Sequence, residues 1–161
     1  SGYTPEESAN GLFIIYLSLL FSFLTWGYFV PKFSKNVSDA IRLLKFGAPI
    51  NLVVLAFIIY LGPKAGAFHW ALFAVSSVFL SLSQPAVGMA FSLSNAGKAL
   101  TSFNLLLFIG AFVLQWIIGV IIDLTMNLGF SEISGFRFAM VFFLLTSLFS
   151  YLFFLTKNHK N

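Results

Sequence analysis

Cysteine is absent from these 161 residues, so neither a disulfide nor a thiolate metal site is open to the chain. Charge is nearly as scarce: Asp, Glu, Lys and Arg make up 9% of the residues, against 59% hydrophobic ones and a mean hydropathy of +0.95. Residues 8–31, 46–63, 65–97, 99–122 and 138–156 contain none of the four. Each run reaches the roughly 18 apolar residues that a bilayer-crossing helix needs. A water-soluble fold of this composition would need an interior far larger than so short a chain encloses. The residue sets of familiar enzyme chemistry are also missing: no Walker loop, no His-Glu-x-x-His, no Ser-His-Asp set, and no carboxylate at the centre of any apolar run. The expectation is a lipid-embedded protein that is not an enzyme and holds no cofactor or metal. No cationic segment followed by a short apolar core opens the chain, so no cleavable signal peptide is expected.

What is present is apolar, long and unalternating. Backbone amides in hydrocarbon must be satisfied within a helix or a closed barrel. Barrel strands alternate polar and apolar residues, whereas Leu52 to Tyr60 and Met140 to Leu145 are continuously apolar. The reading is therefore an all-α, polytopic transmembrane bundle in one domain, with five spans at about 11–30, 46–62, 67–91, 101–122 and 138–155. Thr4, Pro5, Glu6 and Glu7 have the order of a helix cap, a first-turn proline and acidic first-turn residues.

With five spans the connections alternate between the two membrane faces. Lys32, Lys35, Arg42, Lys45, Lys98, Lys157 and Lys160 fall on one side, and only Lys64 and Arg137 on the other. Short loops rich in Lys and Arg stay in the cytoplasm. The carboxyl terminus is expected inside and the amino terminus outside. The sequence pI near 9.5 then reports topology, and no nucleic-acid partner is expected from such short loops.

Polar residues recur at helical spacing in three spans. Ser18, Ser22 and Thr25 form a hydroxyl stripe in the first; Ser77, Ser81, Gln84 and Gly88 share a face of the third, where Pro85 interrupts the hydrogen-bond ladder. Asn104, Ala111 and Gln115 share a face of the fourth, with Gly110 and Gly119 expected to allow close backbone approach. The second and fifth spans read as apolar all round. On this reading the first, third and fourth spans face protein or a water-filled path, and the second and fifth face lipid.

The stretch 88–123 resembles the tenth-to-eleventh helix region of major facilitator superfamily transporters. It has a Gly97-Lys98 pair ahead of a helix with a Gly110-Ala111-Phe112 centre and a Gly119-x-x-x-Asp123 exit. Gly27, Lys32 and Lys35 sit where that family's second Gly-x-x-x-Asp-Arg-x-Gly-Arg loop motif would lie. Pro31 there replaces the acidic residue and Ser34 the second glycine. The resemblance implies that the chain covers helices eight to twelve of a 12-helix fold in a bacterial inner membrane. It further implies transport of a small solute by alternating access, with the remaining seven helices as partners in an untruncated chain or a separate subunit. A chain that starts on Ser1 in mid-loop, with an odd number of spans, is expected to be a piece of something longer. The alternative function is that of a non-transporting accessory or assembly subunit of a membrane complex.

Candidate substrate contacts are Gln84, Gln115, Ser77, Ser81, Asn104 and Trp116, because an amide or hydroxyl deep in a span costs free energy unless it finds a partner. The plainer reading of each is a helix contact, a bond to the residue's own helix, or, for Trp116 and Trp26, an interfacial anchor. Candidate conformational residues are Gly27, Lys32, Lys35, Gly97 and Lys98, which the resemblance places in state-stabilising cytoplasmic loops, and Pro85 with Gly88, a kink pair. Trp70 reads as an interfacial anchor and His69 as a wet polar tip. Any proton-coupling group is expected outside these spans. Because the chain lacks cysteine, single cysteines introduced at Lys35 and at Lys64 report topology directly: impermeant maleimide is expected to reach the first only from the cytoplasmic side and the second only from outside.

Overall fold

The computed structural model describes residues 4–157, all of which belong to helices or short connections; Lys160 lies outside them. Five helical segments are long and apolar enough to cross a membrane, at Pro5–Phe33, Val37–Lys64, Ala67–Ala90, Leu93–Asn127 and Glu132–Lys157. In helical labels these are α1 (Pro5–Phe33), α2 (Val37–Leu61), α3 (Ala67–Ser77), α4 (Ser83–Ala90), α5 (Leu93–Asn127) and α6 (Glu132–Lys157). A 3₁₀ turn, Gly62–Lys64, ends α2, and a 3₁₀ stretch, Val78–Leu82, joins α3 to α4.

The helix ends are set by local chemistry. Thr4 accepts from the Glu7 N–H at 3.2 Å while the Glu7 carboxylate accepts from the Thr4 N–H at 2.8 Å, a reciprocal capping box. Asn36 caps α2 by accepting from the Asp39 N–H. His69 is a cap as well, its Nδ1 accepting from the Gly66 N–H at 3.1 Å, which gives the interfacial histidine a structural task. At the end of α5 the Phe130 N–H donates to Thr125 O and the Gly129 N–H to Met126 O, a Schellman pattern that requires the φ of +85° at Gly129.

The helices extend further than the hydropathy suggested. α5 takes in Gly97, Lys98 and Asp123, and α2 takes in Arg42 and Lys45, because the helix continues through polar residues that hydropathy alone assigns to loops. At about 1.5 Å per residue the 35 residues of α5 reach about 52 Å, well beyond a hydrocarbon core of about 30 Å.

α2 is the hub. It packs against α3, α4, the 3₁₀ stretch and α6; α1 lies along α3, and α5 joins α4 to α6. Its buried residues, Ala40, Leu44, Gly47, Asn51, Leu55 and Ile58, are spaced three or four apart, which makes one continuous seam. The expectation that the second span faces lipid is therefore overturned: its seam of small residues lets neighbouring helices approach, and uniform hydropathy hides that seam. The fifth span is corrected in part, since α6 buries Gly135 and Ala139 against the rest of the bundle. By contrast neither α1 nor α5 contains a buried residue. Gly110 and Gly119 have no neighbour within 4 Å of the position a Cβ would take, so the close approach expected there is absent.

One contact organises the centre of this packing. A Cβ on Gly47 would fall on the ring of Phe79, which comes from the 3₁₀ stretch. On its other side Phe79 meets Trp26 of α1 edge-on, with centroids 4.6 Å apart. The ring thus links α1 and α2, which make no broad contact with each other. The Trp26 indole N–H is buried there without a hydrogen-bond partner, a cost accepted for the ring packing.

Overpacking of this kind typically costs about 1–3 kcal/mol. Gly47→Ala is expected to lose that much stability in denaturant-titrated unfolding in bicelles. Gly27→Ala, which meets nothing within 4 Å, is expected to lose no stability and to gain up to about 1 kcal/mol from helix propensity.

Candidate functional site

The third span carries the local irregularity from which the polar sites are built. α3 ends at Ser77, residues Val78–Leu82 tighten to 3₁₀, and α4 restarts at Ser83 with Pro85 in its first turn. Pro85 has no N–H to give to the carbonyl of Ser81, and its ring crowds that carbonyl, so the α-helical ladder cannot run through. Serine side chains add to the disruption. Ser76, Ser77, Ser81 and Ser83 each donate to the carbonyl three residues back, at 2.6–2.8 Å.

On one side of this segment stand the amides. Gln84 Nε2 donates to Asn104 Oδ1 at 2.7 Å, joining α4 to α5. Gln84 is exposed and Asn104 half-buried. Gln115 and Trp116 lie on α5 about 16 Å further along, at about 1.5 Å per residue, and both are exposed. The structure thus pairs two of the candidate amides and leaves Gln115 three turns away.

On the other side lies a cavity of about 620 Å³ between α2, the third span and α6, with Leu114 of α5 also in its wall. Ser77 faces it, but Ser81, Gln84, Asn104, Gln115 and Trp116 are not among its lining residues. Its polar groups come mostly from spans whose hydropathy gave no sign of them: Asn51 in α2 and Thr146, Ser147, Ser150 and Tyr151 in α6. The spacing of these α6 residues, one helical turn from Thr146/Ser147 to Ser150/Tyr151, is the sequence signal that marks the face. Among the described residues no Asp, Glu, Lys, Arg or His lines the cavity.

Three hydrogen bonds, from two side chains, tie the cavity walls together. Asn51, 6% exposed, donates from Nδ2 to Ser76 Oγ at 2.9 Å and to Phe73 O at 3.2 Å. Tyr151 donates from Oη to the Lys45 carbonyl at 2.8 Å, linking α6 to α2.

The loop candidates are dispersed. Gly27 and Lys32 lie in α1, where the Lys32 ammonium sits 3.7 Å from the centre of the Tyr28 ring; the Lys35 N–H donates to Asp39 in the connection to α2. Gly97 and Lys98 lie in the first turns of α5 rather than in a loop, since Ser92 already starts that helix. Lys98 edges a shallow groove between α4 and α5 with Val87 and Phe91. Gly88 would place a Cβ 3.5 Å from Leu100, an ordinary contact that a methyl group fits. Among the described residues no group of three or more His, Asp and Glu side chains is arranged to hold a metal.

Comparison with known proteins adds no relative to this geometry: no family model, no curated protein and no solved structure matches the chain.

Hydrogen bonds between transmembrane helices average about 0.6 kcal/mol and reach about 1.7. A double-mutant cycle of Gln84→Leu and Asn104→Leu is expected to return a coupling in that range in bicelle unfolding, and a cycle pairing Gln84 with Gln115 none.

Proposed function

We propose that the chain is part of an alternating-access transporter for a small solute, the carboxyl-terminal portion of a major-facilitator-type protein. The observation that carries this reading is the broken third span. Transporters of this mechanism place substrate near the bilayer midplane beside discontinuous helices, where freed backbone groups and side chains become available. Here the break at Val78–Leu82 and Pro85 lies next to the Gln84–Asn104 pair.

The peripheral helices support the same reading. α1 and α5 contain no buried residue, as helices that meet the other half of such a transporter would. The partners would then be the remaining seven helices, with the bilayer around the rest and the lysine-rich side in the cytoplasm of a bacterial inner membrane. Gln84, Asn104 and, further along, Gln115 with Trp116 would line the path. Ser81, whose hydroxyl proton is donated to its own helix, would offer lone pairs only, and Ser77 faces the separate cavity. Pro85 would set the hinge, and the Lys32, Lys35 and Lys98 ends would hold one conformational state. With no fixed charge along this path, an uncharged solute fits best.

A second reading is supported by the same hydrogen bonds. Gln84–Asn104 and Asn51–Ser76 satisfy each other across helices, as the contacts of a non-transporting assembly subunit would.

Uptake by the full-length protein in liposomes, measured against a panel of metabolites, separates the two. Under the transport reading Gln84→Leu lowers uptake about five- to tenfold, the worth of one lost hydrogen bond. Pro85→Ala slows turnover with little change in half-saturating solute. Unaltered uptake in both variants, or no uptake of any panel member, favours the assembly subunit.

A further inference from the structure

We propose that the cavity between α2, the third span and α6 is a binding site for an uncharged amphiphile, an apolar molecule whose polar end is a hydroxyl or N–H donor. The site is distinct from the amide pair at Gln84 and Asn104 and holds whether or not the chain transports a solute. Its volume of about 620 Å³ falls within the range of about 300–1,000 Å³ typical of small-molecule sites. The walls are mainly aliphatic and aromatic, including Leu52, Phe73, Leu80 and Phe143, and would solvate an apolar body.

The polar lining selects the other end of the ligand. Ser77, Ser83, Thr146 and Tyr151 have each given their hydroxyl proton to a backbone carbonyl, which leaves oxygen lone pairs toward the cavity. Ser147 and Ser150, one turn apart on α6, make no hydrogen bond to any described residue, although helical serines in hydrocarbon ordinarily bond back to their own helix. A wall of acceptors with two uncommitted hydroxyls favours a donor. With no Asp, Glu, Lys, Arg or His among the described lining residues, an ion would enter without a counter-charge and pay its full desolvation.

The test uses the protein in lipid nanodiscs and a fatty alcohol bearing a diazirine, with crosslinks mapped by peptide mass spectrometry. Label is expected to concentrate on Leu80, Phe143 and Phe154. Unlabelled decanol is expected to compete, its methyl ether to compete roughly fivefold less well, the ratio one neutral hydrogen bond is worth, and the ionised fatty acid not to compete. The double variant S147A/S150A is expected to lose labelling by a similar factor, and Ala48→Phe, which fills the space, to abolish it. The proposal is overturned if the ether competes as well as the alcohol, if the fatty acid competes, or if label falls equally on Leu17 and Phe21 of α1. A cavity sealed or filled by another helix gives no label at its wall and overturns it too. The competition series needs only the unaltered protein, so a variant that fails to fold does not remove the test.

Discussion

Hydrocarbon supplies no hydrogen bonds, and each polar side chain carried into it must find its partner inside the protein. Most of the hydroxyls solve this locally. Ser22 and Thr25 donate to carbonyls one turn back in α1, and Thr146 does the same in α6, so two of the three hydroxyls of the first-span stripe are satisfied within their own helix. Two of the amides cross between helices instead. Asn51 reaches α3 and Gln84 reaches α5, and these crossings position the spans relative to one another.

Packing follows a different rule in lipid than in water. Exclusion from water does not drive these helices together, so contact depends on how closely backbones approach. α2 becomes central because Ala40, Gly47 and Asn51 are small enough to admit neighbours along one seam. Phe79 enters that seam at Gly47 and reaches Trp26 from the same ring. The ring can do so because the third span tightens to 3₁₀ at Val78–Leu82, which turns its side chains relative to a continuous α-helix. The irregularity that marks the candidate path is thus also part of the core.

The bundle carries two polar regions of different character. The amides on α4 and α5 are exposed at Gln84 and Gln115 and half-buried at Asn104, where α4 meets α5. The hydroxyl-lined cavity is partly open at the surface and contributed largely by α2 and α6. A path shared with further helices and a pocket private to this chain would place separate demands on the same broken span, since Ser77 and Ser83 face the cavity while Gln84 faces α5.

Medium, helix count and capping residues were legible in the chain itself. Charge-free runs of bilayer length admit only helices, and Thr4 with Glu7 caps wherever it stands because the bond is local. The interruption at Pro85 was equally readable, a missing N–H being a property of the residue. Which span lies at the centre was not. In a sequence that is apolar throughout, hydropathy does not separate a lipid-facing surface from a protein-facing one, so Asn51 and the Thr146 to Tyr151 face passed as ordinary positions of apolar spans. Their roles depend on partners 22 to 106 residues away, such as Phe73 for Asn51 and Lys45 for Tyr151. The sequence alone determined five segments long and apolar enough to cross a bilayer. Only their three-dimensional packing decided which faces meet, because close approach in lipid depends on shape, and shape is a property of two helices together.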